Sequence, residues 1–371
     1  MMHTASEVLA TLHWDFGKGI PIGGYTLRFY QIFFALGFVT GYRLMLGFFK
    51  KEGVPQDWLD RLLTYMVIAT IIGARLGHVF FYQWDYYKLH PDEILKVWEG
   101  GLASHGAAIA IVIALIWFSR QVSKRSPLWI LDRVVITVAL AGCFIRVGNW
   151  FNSEIYGKPG NSAIETVYLD LPRQDLLRYW DESIDRVAFV PLEGTAERDG
   201  LKHPRYTLEL TYTEKMSREA ASLEFADQAR FLSSRAEEDR QLVFPDQAEL
   251  QFAEGAPLKA SIEVWGIPRH PTQLIEAFGY LVIFFLLWYL YERTSAGSRQ
   301  GLLFGLFLVT VFGYRYAVEF LKVVQVEAEK DMAINLGQSL SIPLVAIGLF
   351  FVIRALRSPA VSYPPVQNPA E

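Results

Sequence analysis

"GLASHGAAIAIVIALIWFS" runs from Gly101 to Ser119 without a single Lys, Arg, Asp or Glu. At about 1.5 Å per residue, a helix of this length nearly spans the roughly 30 Å hydrocarbon core of a bilayer. A helix apolar on every side belongs in lipid or in the centre of a large core. The rest of the chain decides between these. Six further apolar stretches fall at about 29–49, 62–82, 132–152, 272–291, 300–320 and 333–353. A soluble fold rarely buries seven helices this long, so the pattern predicts a polytopic, all-α membrane protein with seven transmembrane helices.

The chain has 371 residues, 52% of them hydrophobic. Its charges are unevenly placed. Residues 152–271 hold 36 of the 74 charged side chains, and the other 251 positions hold 38. A polar insert therefore interrupts an apolar protein between the fourth and fifth helices. Within it "DRVAFVPLE" and "RYTLELTYTE" alternate as half-buried strands do, and "AELQFAEGAPLKASIEVWG" returns to that pattern. "EKMSREAASLEFADQARFLSS" has helical periodicity, which makes the insert mixed α/β. The expected division is 1–157 for helices one to four, 158–266 for the insert and 267–356 for helices five to seven. A Pro-rich tail, 357–371, is expected to be disordered.

Lys and Arg near the helix ends set orientation. One set of loops carries twelve, including Lys50, Lys51, Arg120, Arg125, Arg299 and Arg357; the opposite set carries six. The richer set is expected in the cytoplasm, with the N-terminus and the insert outside and the C-terminus inside. The first twenty residues have no basic start and no small-residue cleavage site. The single cysteine, Cys143, lies within the fourth apolar stretch and reads as a small buried hydrophobe.

The polar residues inside the spans share a depth. Helix four, running outward, carries Arg146 and Asn149 toward its outer end, followed by Asn152 and Glu154. Arg75 and His78 lie in the outer half of helix two, and His105 at the outer start of helix three. Tyr30, Glu276, Arg315, Glu319, Asn335 and Gln338 fall at the same level, and Arg269 immediately precedes helix five. Charges within a bilayer are costly and face the bundle interior or a wet cavity. One outward-leaning polar cavity is the expectation. Other readings stay open. Arg315 and Glu319 are four apart and could simply pair. Arg75 could clamp a carboxylate, and Tyr30 could be an interfacial aromatic.

Arginines suit a phosphate, because the guanidinium is always charged and binds oxygens in pairs. A phosphate held at this depth implies a phospholipid headgroup, and histidine adds a proton acceptor. These residues alone leave a membrane enzyme and an anionic-phospholipid-binding protein or transporter side by side. A seven-helix photoreceptor would need a lysine in its last helix, and 333–353 has none.

"RVGNWFNSEIYG" (Arg146–Gly157) resembles the signature of bacterial prolipoprotein diacylglyceryl transferases, Gly-Arg-x-Gly-Asn-Phe-x-Asn-x-Glu-x-x-Gly. "GARLGHVFFY" (73–82), "GGLASHGAAIA" (100–110), "RHPTQLIEA" (269–277), "YRYAVEFLK" (314–322) and "GQSLSIP" (337–343) are similar to further blocks of that family, in order. The resemblance covers roughly 25–157 and 266–355. It implies transfer of the diacylglyceryl group of phosphatidylglycerol to the lipobox cysteine of a preprolipoprotein. The products are a thioether and glycerol 1-phosphate, made at the bacterial cytoplasmic (inner) membrane with the active site toward the outer leaflet. No cofactor, metal or nucleic acid is implied.

Carried over by position, His105, Arg146 and Arg269 are the expected catalytic residues. Tyr30, Arg75, Asn149, Asn152, Glu154, Gly157, Glu276, Arg315 and Glu319, with Arg146, are the expected substrate-binding set. The chain departs from the family at Ile145, Trp150, Ala107 and Ile275. "KVVQVEAEK" replaces an Arg-x-Pro-Asp-like turn, and the insert is longer than in compact members.

Overall fold

The computed structural model describes residues 11–162, 164–214, 216–236, 238–246, 249–323, 332 and 334–366. Among the described residues, seven helices are long and apolar enough to cross a membrane. In chain order the helices are α1 (Phe29–Lys51), α2 (Gln56–Phe81), α3 (Ser104–Phe118, continued by a π turn to Ser123) and α4 (Pro127–Phe151). Two shorter helices, α5 (Asp170–Tyr179) and α6 (Arg218–Ser233), lie in the insert. Then come α7 (Thr272–Arg293), α8 (Leu302–Val318, tightening to a 3₁₀ turn through Leu321) and α9 (Leu336–Arg357). The protein is a polytopic helical membrane protein with a β-sheet insert after its fourth span.

The chain divides into two compact units. One comprises 34–144, 279–314 and 340–371. In it α2 and α3 meet backbone to backbone. A Cβ added at Gly106 would lie 2.2 Å from the Gly73 carbonyl oxygen and 2.5 Å from the Gly77 Cα. Small residues four apart allow this approach, and close van der Waals packing is what holds helices together where lipid is the solvent. Ala107, a departure from the family pattern, fits because Gly73 opposite it has no side chain.

Glu52 gathers the far ends of several helices. Its carboxylate accepts from Trp129 Nε1 at 2.9 Å and from the Tyr291 hydroxyl at 2.5 Å, and pairs with Arg133 at 2.6 Å. Buried Asp132 accepts from the backbone N–H groups of Gly301 at 2.7 Å and Phe304 at 2.8 Å. These are orphan donors at the start of α8, capped from another helix.

The tail departs from expectation. Through Val366 it is bonded in place rather than disordered. Val361 N–H donates to the Ser298 carbonyl, Val366 N–H to that of Gly53, and Arg125 to that of Pro364. The Tyr363 hydroxyl accepts from Ser126 N–H and from Gln300, and the Arg125 guanidinium lies over its ring. Composition gave "disordered" because Pro removes backbone donors; aromatic and arginine contacts supply the hold instead. Residues 367–371 lie outside the described residues, as do residues 1–10 and most of the turn after α8.

The other unit comprises residues 1–33, 145–278 and 315–339. Its N-terminal strand β1 (Thr11–Trp14) pairs in parallel with β4 (Glu165–Tyr168) of the insert, and β2 (Gly19–Ile22) forms a hairpin with β3 (Tyr25–Arg28). Trp14 packs against Trp150 and Phe151, which gives the Trp150 departure a reason. The insert sheet has the order β5-β6-β9-β7, from β5 (Ile184–Arg198), β6 (Leu201–Tyr212), β9 (Lys259–Gly266) and β7 (Leu242–Val243); β8 (Gln251–Phe252) also pairs with β9. Alternate residues Leu208, Leu210, Ile262 and Val264 enter a core with Phe225 and Leu232 of α6. Ser217 caps α6 by accepting from Ala220 N–H, so the helix starts later than its periodicity predicts. α5 and strands β1–β4 and β7 went unread; the strands, at two to four residues, are too short to show a period.

Arg205 grips Glu263 with two parallel hydrogen bonds, Nε to Oε1 at 2.8 Å and Nη2 to Oε2 at 2.9 Å. With a third from Trp265, these hold the Glu263 carboxyl down at about 2, against an ordinary 4.5. A depressed carboxyl stabilises the fold above its unfolded value and loses that contribution as pH falls through the folded one. Amide protection of β6 and β9 is therefore expected to fall as pH drops from 4.5 toward 2, and Arg205→Met should flatten that dependence. Separately, deleting residues 358–371 is expected to lower the thermal midpoint of the detergent-purified protein by several degrees, with Tyr363→Ala reproducing part of the loss.

Candidate active site

The C-terminal end of α4 builds the first part. Arg146 and Asn149 sit three apart on one face, and Arg146 Nη1 donates to Asn149 Oδ1 at 3.2 Å. Asn149 Nδ2 donates to Glu154 Oε1 at 2.8 Å, and Asn152 Nδ2 to the same oxygen at 3.2 Å. Gly148 lets α1 approach here: a Cβ on it would stand 3.1 Å from the Tyr30 Cα. Tyr30 is half-buried and within electrostatic reach of Glu154 and Arg146.

The chain then turns through left-handed Ser153 (φ 55°) and Ile155 (φ 60°). The turn needs no positive φ at Gly157. Its glycine answers a crowding constraint instead, because a Cβ would lie 2.6 Å from the His270 carbonyl oxygen and 2.9 Å from that of Leu321. Gly157 N–H donates to the His270 carbonyl at 2.9 Å and Lys158 N–H to that of Leu321 at 2.8 Å. Thr272 and Gln273, at the start of α7, donate to the carbonyls of Ile155 and Glu154 at 2.8 and 2.7 Å.

Arg269 is fully buried. The sequence puts it on a phosphate; here its guanidinium donates to the carbonyls of Arg240 at 2.7 Å and Gly157 at 3.4 Å, and covers the Tyr156 ring. Burial, then the nearby Asp239 charge, pushes the Tyr156 phenol up to about 12, so it stays a donor, 3.1 Å from Asp239.

A chain of ion pairs continues from Arg146. Its Nε lies 2.9 Å from Glu276 Oε2, and Glu276 Oε1 lies 3.1 Å from Lys322 Nζ. That ammonium is also 3.1 Å from Glu319 Oε2. Among the described residues no ion pair joins Arg315 to Glu319, so the four-apart pairing does not form; Arg315 is half-buried. Asn335 and Gln338, read as cavity groups, instead make a reciprocal capping box at the start of α9, with Gln338 N–H to Asn335 Oδ1 at 2.8 Å and Asn335 N–H to Gln338 Oε1 at 3.3 Å.

Tyr30, Arg146, Asn149, Asn152, Glu154, Gly157, Arg269, Glu276, Arg315 and Glu319 thus belong to one unit, whereas His105 and Arg75 belong to the other. His105 is exposed at the first turn of α3, its backbone fixed by the neighbouring Gly106 contact. Arg75 is buried and donates to three carbonyls, Glu93 at 2.6 Å, Gly100 at 2.7 Å and Ile94 at 2.9 Å. Carbonyls, not a carboxylate, are what it clamps.

Arginine, amide and carboxylate thus gather at the end of an apolar helix, and the whole-chain comparison supplies the family. A family model for prolipoprotein diacylglyceryl transferases matches residues 19–354. The chain belongs to that family. A phosphatidylglycerol–prolipoprotein diacylglyceryl transferase of Tolumonas auensis is 33% identical over 341 residues, 92% of this chain and 96% of its own. Proteins of the same name from Chloroherpeton thalassium and Porphyromonas gingivalis are each 31% identical over 357 residues, covering 97% and 96% of their lengths. Chain-length coverage of this kind means the insert has counterparts in these diacylglyceryl transferases.

Lys322, Thr272 and Gln273 were missed as site residues. Lys322 ends an apolar helix and so read as an ordinary interfacial lysine; its spacing of three from Glu319 was the available signal. Gly157→Ala is expected to cut transferase turnover at least tenfold while the protein still purifies folded, because overpacking by one methyl costs about 1–3 kcal/mol and displaces the loop that carries Glu154. Turnover and circular dichroism on the same preparation check this.

Proposed function

We propose that this chain transfers the diacylglyceryl group of phosphatidylglycerol to the lipobox cysteine thiol of preprolipoproteins. The carrying observation is Arg146, oriented by Glu276 on one side and Asn149 on the other at the end of a membrane-spanning helix. A guanidinium so held is set for a phosphate oxygen before substrate arrives. Arg315, half-buried in the same unit, is the second cation, and Arg269 keeps the Gly157 loop in place.

The substrate sulfur attacks the glyceryl carbon that bears the phosphate ester. A C–S bond forms, the C–O bond breaks, and glycerol 1-phosphate leaves with the electron pair. The thiol must first lose its proton, because the thiolate is the nucleophile. His105 is the proposed acceptor of that proton. Arg146 offsets the charge that develops on the leaving phosphate. Tyr30, Asn149, Asn152 and Glu154 shape the headgroup site.

The Lys and Arg asymmetry of the loops supports an N-terminus and insert outside, a C-terminus inside, and a site facing the outer leaflet of the bacterial inner membrane. Phosphatidylglycerol would enter from the bilayer and the lipobox segment from the outer surface.

A transfer assay tests this reading. Purified protein in detergent receives phosphatidylglycerol and a lipobox peptide, and glycerol phosphate and peptide mass are followed. Wild type is expected to yield lipidated peptide, with Arg146→Ala and His105→Ala each losing at least about a hundredfold in rate. Tight phosphatidylglycerol binding without product would favour a lipid-binding or transport role instead.

A further inference from the structure

We infer that Lys322 is a positioning residue whose charge keeps Arg146 available to an anion. The inference rests on the reading of Arg146 as the headgroup site.

The geometry is a chain of four charges. Glu276, fully buried, bridges Arg146 at 2.9 Å and Lys322 at 3.1 Å, and Lys322 reaches Glu319 at 3.1 Å. The Lys322 side chain is 3% exposed. A lysine is rarely buried this deeply unless it is paired. Its compact ammonium carries three donors, enough for both carboxylates.

Without that ammonium, one arginine would stand against two carboxylates and the cluster would be net negative. An anionic headgroup would then be repelled from the residue meant to hold it. With Lys322 present, two cations balance two carboxylates, and the cluster does not repel an anion from Arg146.

The backbone of Lys322 also pairs with Gly157, and Leu321 accepts from Lys158 N–H at 2.8 Å. One residue therefore joins the ion chain to the loop that carries Glu154. Gly337 closes the other end: a Cβ there would lie 2.7 Å from the Glu319 carboxyl carbon. Any side chain at 337 would therefore push the Glu319 carboxylate from its place beside Lys322.

A purely structural staple would make different demands from a charge-balancing one. The test is steady-state transfer kinetics of the full chain with phosphatidylglycerol and a lipobox peptide. Lys322→Met is expected to raise the KM for phosphatidylglycerol about tenfold or more, leaving the peptide KM unmoved. Lys322→Arg should recover most of that loss. The double variant Lys322→Met with Glu319→Gln removes one charge of each sign and should also recover most of it. An unmoved phosphatidylglycerol KM in Lys322→Met overturns the inference, as does a double variant no better than the single. Where Lys322→Met fails to fold, Glu319→Gln alone decides. A lower phosphatidylglycerol KM supports charge balance, and an unchanged or higher one overturns it. A wild type that makes no product would sink the transferase reading rather than this one. Equilibrium binding of phosphatidylglycerol to the same variants would still decide Lys322.

Discussion

A charge inside an apolar helix bundle has to be met by another charge or by a set of dipoles, and this protein uses both. Arg146 is met by Glu276, and Glu276 by Lys322. Arg269 and Arg75, equally buried, are met by carbonyls. The cost of leaving any of them unmatched is far larger than the net gain of a matched pair. The residues around them are fixed by that asymmetry: Gly157 has no side chain because the loop must close on His270 and Leu321, and Thr272 and Gln273 are polar because two carbonyls face them.

Arg75, Arg269 and Arg146 differ in what they touch, which composition cannot tell. Arg75 and Arg269, both buried, bond backbone carbonyls and hold loops. Arg146, part-buried near a helix end, is instead held by a carboxylate and an amide.

Helix ends without local caps are handled by distant residues. Asp132 of α4 covers the start of α8, and the tail around Tyr363 ties together segments far apart in sequence. Asp132 is fully buried, so water cannot stand in for the donors it meets.

Sequence by itself determined the seven spans, because hydrophobic length is a local property and lipid admits few solutions to it. It also determined the strand pattern of the insert, and the family, since six motif blocks survive in order. Arg146, Asn149, Glu154 and Glu276 were legible as a group from shared depth along helices of known rise. Tertiary structure decided what each polar group touches. The carbonyls that claim Arg269 and Arg75 and the parallel pairing of β1 with β4 join residues distant in sequence, while Glu319, with Arg315 and Lys322 both one turn away, pairs with Lys322. Depth and residue type set which charges must be matched, and only the packed chain chooses the partner, because several were within reach of each.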